Sequence, residues 1–285
     1  MRRYINKALA CFIIIVAGVL SCFPVLVLLA GSLAGRQELS EAMNGLFADE
    51  GRTSLILFPA FPTLRGYVKV LLDTPEFYVV FWNSVKLTLC IVAGQLFTAV
   101  PAAWGFSRWH GKLSSILFYL YTILMLLPFQ VTMLSSYQML DRINMLDTHA
   151  GIILPAVFST FPVFIIYRSF IGIPDELFEA FSLESKSEIF LFWYIGLPMA
   201  RQGIKAAVLL SVIECWNMLE QPLLFLKTPY LWPFSTYIPD INSQNIQYSF
   251  VFSFLVVIPM FLVLSWGKDE IQEGIGAMAG SVGKG

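Results

Sequence analysis

An all-α integral membrane protein with six transmembrane helices is predicted, and three observations predict it. The 285 residues are 57% apolar with a mean hydropathy of +0.72, and only 13% are charged, about half the share of a soluble domain. The charged residues are separated by long charge-free windows, as between Lys7 and Arg36, Lys86 and Arg108, and Lys112 and Asp141. Those windows reach the ~20 residues that a helix needs to cross the hydrocarbon layer. One aqueous core cannot bury so much apolar surface, so lipid is part of the solvent.

Six spans follow, at 8–33, 85–107, 113–137, 149–169, 203–226 and 248–267, within a single domain covering 1–285. The first begins after Arg2, Arg3 and Lys7 like a signal peptide. Its apolar run far exceeds a signal core of about 7–15 residues, so it reads as a retained helix. The fifth is interrupted by Glu214 and Glu220, which a membrane helix tolerates where they face protein or water. The stretch from Ile189 to Ala200 is too short to cross. It reads as an interfacial amphipathic helix that stops at Pro198. Pro24, Pro101, Pro128, Pro155, Pro162, Pro222 and Pro259 recur within the spans, where neighbouring helices can satisfy the carbonyls they free.

Orientation follows from loop charge. With the N-terminus inside, lysines and arginines divide eleven inside to six outside, with Lys86 at an edge. This is the direction of the positive-inside rule. External loops are then 34–84, 138–148 and 227–247, the cytoplasmic loop is 172–200, and 268–285 is a cytoplasmic tail. Both termini of this multi-pass chain lie in the cytoplasm.

Some chemistry is disfavoured. Net charge is −1 with no basic block, which argues against a nucleic-acid partner. Cys11, Cys22, Cys90 and Cys215 form no CxxC pair, and His110 and His149 sit at segment ends, so no metal set is expected. No catalytic constellation and no GxxxxGK[ST] phosphate loop is present. No catalytic residue and no cofactor are therefore expected in this chain.

The loop between the fourth and fifth spans is the most informative segment. Pro174 followed by Asp175 and Glu176 marks a helix start. Leu177, Phe178 and Phe181 then form one apolar face. Ser185 and Ser187 offer a break and a new N-cap before a second apolar helix through Phe190 and Trp193. Exposed apolar faces of this kind either meet a partner protein or lie flat among lipid headgroups.

This loop resembles the cytoplasmic loop of binding-protein-dependent ABC importer permeases, whose pattern is EAA…DGAS…LP. Glu179-Ala180-Phe181, Glu184-Ser185-Lys186-Ser187 and Leu197-Pro198 stand in that order here. Phe181 replaces the third alanine, Glu184 the aspartate, Ser185 the glycine and Lys186 the next alanine. Other segments resemble the carbohydrate-type (maltose or multiple-sugar) branch. They are Phe58-Pro-Ala-Phe-Pro-Thr-Leu-Arg-Gly-Tyr67 with Asn83-Ser84, Met145-Leu-Asp-Thr148, Trp216-Asn217 with Pro222-Leu223 and Phe225-Leu226, and the tail Ala279-Gly-Ser-Val-Gly-Lys-Gly285. The resemblance runs over nearly the whole chain and points to the smaller, six-span permease of a heterodimer with the type I ABC importer fold. It implies a bacterial inner-membrane location, a second permease subunit, and a pair of ATPase subunits that bind ATP and Mg. It also implies an extracellular solute-binding protein that delivers a sugar, oligosaccharide or sugar-like solute. The ATPases would grip Glu179, Ala180, Glu184, Ser185 and Ser187, and ATP would be hydrolysed by them rather than by this chain.

In the fifth span Glu214, Asn217 and Gln221 fall on one helical stripe and Trp216 and Glu220 on a second. A carboxylate near mid-membrane costs ~2.5–3.5 kcal/mol and usually lines a cavity or pathway. Glu214, Asn217, Gln221 and Glu220 are thus candidates for the solute pathway, and a polar contact to the partner permease is the alternative. Glu220-Gln221 stands where the resembling family has Leu-Trp, which suits a more polar or cationic solute. In the last external loop the resemblance makes Tyr230, Trp232, Tyr237 and Asp240 candidates for contact with the binding protein, against an interfacial aromatic belt. The competing classes are an ion-coupled secondary transporter subunit, with Glu214 and Glu220 carrying ions, and a membrane-embedded enzyme.

Overall fold

The computed structural model describes residues 2–47, 53–109, 111–184, 187–237 and 245–282. Most of them are helical, and no strand occurs among the described residues. The chain divides into two compact units, 1–78 with 238–259, and 79–237 with 260–285.

The first unit opens with α1 (Arg2–Leu33). Its segment Cys11–Leu33 is apolar enough to span a membrane, and residues 11–26 of it are all exposed. A helix that is apolar on every side and exposed on every side is solvated by lipid. Next come α2 (Arg36–Phe47) and α3 (Arg65–Val68), which continues through a π turn at Lys69–Asp73. Leu39 of α2 packs with Ala34 and Ile246, and Met43, Ile56 and Phe250 close over them. The buried Gln247 side chain donates to the Ala34 carbonyl at 2.9 Å. A Cβ at Gly31 would overlap the Phe250 ring, so glycine is what lets these two segments touch.

The second unit continues α4 (Pro75–Arg108) and holds α5 (Lys112–Leu126), α6 (Phe129–Arg142), α7 (His149–Val157), α8 (Thr160–Ile171) and α9 (Asp175–Glu184). Then come α10 (Glu188–Leu191), a π turn at Phe192–Gly196, α11 (Leu197–Trp216) and α12 (Glu220–Phe225). The far end of α13 (Ile246–Val282) completes it. One core gathers Ala99, Ala103, Val163, Ile166, Phe170, Phe178 and Ala207. A second gathers Leu87, Ile91, Leu140, Ile152, Phe225 and Leu226. Gly267 lets α13 pass close to Leu209 of α11.

Four described segments are long and apolar enough to cross a membrane: Cys11–Leu33, Pro75–Arg108, His149–Ile171 and Ile246–Asp269. The pair α5 and α6 adds a fifth if counted as one. That pair does not form the single proline-containing span expected at 113–137, because the two helices are bent by 98°. Leu127 precedes a proline and is extended, with ψ of 123°, as the proline ring requires. The helix expected from 85 begins at Pro75, with Glu76 in its first turn, a start that suits both residues.

The region expected as one span at 203–226 is also interrupted. Helix α11 ends at Trp216 and α12 resumes at Glu220. Helix α11 carries Arg201, Lys205 and Glu214 and is not among the apolar segments. Nor does Pro198 stop the preceding helix, as the sequence suggested. It falls in the first turn of α11, directly after the π turn. The wider turn absorbs a residue that has no N–H to donate.

Candidate functional site

Helix α9 starts after Pro174 with Asp175 and Glu176 in its first turn. Its apolar face is covered in part, with Leu177 still exposed. Phe178 is 6% exposed and packs edge-on against Trp104 of α4, with ring centroids 5.9 Å apart. Trp104 also meets Phe170 of α8 at 5.2 Å and Phe192 of the π turn at 5.4 Å. The Arg108 guanidinium lies over the Phe178 ring at 4.6 Å and pairs with Glu188 at 3.7 Å. Four elements therefore meet around one tryptophan. Glu179 and Ala180 are exposed, as are Leu183, Ile189 and Trp193. Ser187 holds the N-cap position of α10. Ser185 and the side chain of Glu184 lie outside the described residues.

The polar residues after α11 do not share one continuous helix. Glu214 is exposed near its end, and Asn217 is its C-cap, with the side-chain amide donating to the Ile213 carbonyl at 2.8 Å. Glu220 opens α12 and accepts from the Gln130 amide at 2.6 Å. Gln221 is half-buried, with a buried carbonyl oxygen that has no hydrogen-bond partner among the described residues. Trp216 turns inward against Phe81 and Phe234. Gln130 was not singled out from the sequence. The available signal was a polar residue just after Pro128 in an otherwise apolar window.

The segment after α12 is clamped at both ends. The Asp147 N–H donates to the Phe225 carbonyl at 2.8 Å. Its carboxylate accepts the Lys227 and Thr228 N–H groups, each at 2.9 Å, and the Thr228 hydroxyl. Asp147 adopts φ of 57°, a conformation that Asp and Asn reach more readily than other non-glycine residues. Thr148 caps α7 by accepting from the Gly151 N–H at 3.2 Å. Further on, the Asn83 amide donates to the carbonyls of Tyr230 at 2.7 Å and Trp232 at 3.1 Å. Ser84 accepts the Phe234 N–H at 2.7 Å. Tyr230 is exposed, Trp232 and Tyr237 are half-buried, and Asp240 lies outside the described residues. No group of residues able to hold a metal occurs among the described residues.

The Thr228 hydroxyl, and next the Thr228 N–H, hold the Asp147 carboxyl below the usual carboxylate range. A carboxyl with a lowered folded pKa stabilises fully above its unfolded value, about 3.9. That contribution is lost as the pH falls through the folded value. The expected outcome is that Asp147→Ala unfolds at a lower temperature than the parent at pH 7, and that the gap closes below about pH 3.9. Thermal unfolding of the detergent-purified chain over pH 3–7 measures it, and a gap independent of pH would rule the clamp out as its cause.

No protein-family model matches the sequence. The chain is 29% identical over 234 residues to Protein LplC of Bacillus subtilis (strain 168), covering 80% of this chain and 75% of that one. It is 26% identical over 209 residues to the arabinooligosaccharides transport system permease protein AraQ of Halalkalibacterium halodurans, covering 73% and 72%. It is 27% identical over 207 residues to the lactose transport system permease protein LacG of Rhizobium radiobacter, covering 72% and 75%. Among solved structures it matches a chain of a bacterial ABC transporter involved in the import of the acidic polysaccharide alginate. That match has a TM-score of 0.77 at 17% identity and covers 93% of this chain and 96% of the other. The chain is thus an integral membrane protein with the fold of an ABC importer chain, and its relatives include permease proteins of arabinooligosaccharide and lactose transport systems.

Proposed function

We propose that this chain is a membrane permease subunit of an ATP-driven importer for a sugar, an oligosaccharide or a sugar-like solute. The observation that carries this reading is the likeness to permease proteins of sugar transport systems across about three-quarters of the chain. The shared fold supports it. In this reading a second permease subunit completes the pathway, and an extracellular binding protein delivers the solute. Two ATPase subunits bind ATP and Mg and hold α9 at Glu179 and Ala180. Both termini lie in the cytoplasm. The chain itself hydrolyses nothing.

The local geometry suits these roles. Helix α9 carries exposed residues on one side, while Phe178 ties the other to α4 and α8 through Trp104. Displacement of α9 therefore moves the helices of the core. Glu214, Asn217 and Glu220 are exposed at the break between α11 and α12, with Gln221 beside them. Such groups at membrane depth require water or polar partners. A hydrated solute pathway supplies both, and sugar hydroxyls are suitable donors to the carboxylates. Tyr230, Trp232, Tyr237 and Asp240 belong to the segment that meets the binding protein.

Reconstitution of the chain with its partners in proteoliposomes tests the proposal. The expected result is uptake of a labelled oligosaccharide that needs ATP and the binding protein. Uptake that survives without ATP and collapses with an uncoupler would establish an ion-coupled transporter instead. Glu214→Ala and Glu220→Ala should each lower uptake severalfold while the complex still assembles. Unchanged uptake would remove both from the pathway.

A further inference from the structure

The first unit contains a cavity of about 790 Å³. Arg65, Lys69 and Asp73 line it at i, i+4 and i+8 along α3 and its π turn. Arg36 and Glu38, from the first turn of α2, join them. Among the described residues none of these five forms an ion pair. Lys69 instead rests over the Tyr248 ring, 4.1 Å from its centroid. Glu38 accepts the Ala60 N–H through Oε1 at 2.9 Å, whereas its Oε2 is buried and has no hydrogen-bond partner among the described residues. A buried carboxylate oxygen without a donor is expensive, and native structures rarely leave one so. The cavity thus presents three cations and two carboxylates, with one oxygen waiting for a donor. Its complement carries a negative and a positive group together.

Its position narrows the choice. The apolar run of α1 ends at Leu33 and that of α13 begins at Ile246. The cavity is lined by Gly35 and by Gln247 and Tyr248, the residues at those two ends. It therefore sits where hydrocarbon gives way to headgroups. Leu64, Val68 and Leu72 also recur at i, i+4 and i+8, beside the charged stripe, and are 64%, 51% and 76% exposed. Phe58 and Phe61 nearby are more exposed still. A charged stripe next to an exposed apolar stripe is the pattern of a helix lying in the membrane interface. At that depth the exposed stripe meets acyl chains.

We propose that this cavity binds the headgroup of an amine-bearing zwitterionic phospholipid, of the phosphatidylethanolamine type. Arg65 and Arg36 take the phosphate, whose planar recognition suits guanidinium groups. Glu38 Oε2 and Asp73 take the ammonium, which supplies the missing donor. The acyl chains run along Leu64, Val68 and Leu72. A choline headgroup has no N–H for Glu38, and a glycerol headgroup has no charge for either carboxylate. The site therefore discriminates among lipids with the same phosphate.

Native mass spectrometry of the full chain in detergent tests this, titrated separately with phosphatidylethanolamine, phosphatidylcholine and phosphatidylglycerol. The expected result is at least tenfold tighter retention of the ethanolamine lipid. Asp73→Asn and Glu38→Gln should each erase the preference over the choline lipid. Arg36→Gln combined with Arg65→Gln should weaken all three lipids. Asp73 is exposed, so its substitution is informative even where the Glu38 variant fails to fold. Equal retention of the three lipids, or a preference unchanged by Asp73→Asn, would overturn the proposal. So would competition by free phosphoethanolamine at the same concentration as the lipid, which would make this a site for a soluble zwitterion.

Discussion

Phe178→Ala abolishes coupled uptake, by more than tenfold, while ATP hydrolysis by the assembled transporter continues. Phe178 is the side chain through which α9 enters the core, packed against Trp104 and covered by Arg108. Phe→Ala truncation in a core costs about 3–5 kcal/mol, part of it for the cavity left behind. Here the loss falls on the most buried side chain that joins α9 to α4 and α8, with Phe181 packed beside it only in part. In the proposed reading Glu179 and Ala180 would still engage the ATPase subunits, but their displacement would no longer carry to the spans. Arg108→Ala should do far less. Its ion pair with Glu188 is 3.7 Å long, with the Glu188 side chain mostly exposed, and pairs of this kind contribute about 0–1 kcal/mol. Uptake and ATPase rates measured on the same proteoliposomes separate the outcomes. Uptake within twofold of the parent in Phe178→Ala would mean that force does not pass through this contact. Parallel loss of both rates would mean that α9 is needed for assembly rather than for coupling.

The contrast between these two residues shows where sequence reasoning succeeds and where it stops. The apolar segments in α1, α4 and α13 were legible, because a long charge-free window has few readings other than a lipid-solvated helix. The start of α9 at Asp175 was legible too, since proline and acids mark a first turn. The destination of its apolar face was not. Leu177, Phe178 and Phe181 look alike in one dimension, and only the position of Trp104, far away in the chain, turns Phe178 inward. Proline rules misled twice in opposite directions. Pro128 breaks α5 from α6 by 98°, where a kink within one span was expected, because the packing of Phe129 on Phe225 holds the bent form. Pro198 was expected to end a helix and does not, because the preceding π turn accommodates it. The break after Trp216 likewise split residues that helical periodicity had placed on one stripe. Gln130 and the Asp147 clamp were invisible for a common reason. Each is defined by a partner in α12 or just beyond it, and no local pattern encodes that pairing.

Gly203→Val removes the folded protein from the membrane fraction or leaves it unstable in detergent. Gly203 is buried in α11 where that helix runs along α8. A Cβ built there overlaps the hydroxyl of Ser169 and falls 2.6 Å from its Cβ, a separation that real side chains do not tolerate. Lipid gives little hydrophobic drive to hold helices together, so their association depends on close approach of small residues. A valine at this position must push α8 and α11 apart. It thereby opens the core that contains Val163, Ile166 and Ala207. Gly105 and Gly18 have open space around their Cβ positions, so alanine at either should leave expression and unfolding temperature unchanged. Close approach at this point also couples a pair of residues. Ser169→Gly removes both atoms that a Cβ at 203 would strike. Combining it with Gly203→Ala should therefore recover stability that Gly203→Ala alone loses, a positive coupling of the kind that contacting residues show. Thermal unfolding of the four proteins by size-exclusion recovery reads the cycle directly. Simple additivity would mean that α8 and α11 do not meet at these two residues, and the packing of the second unit would have to be redrawn.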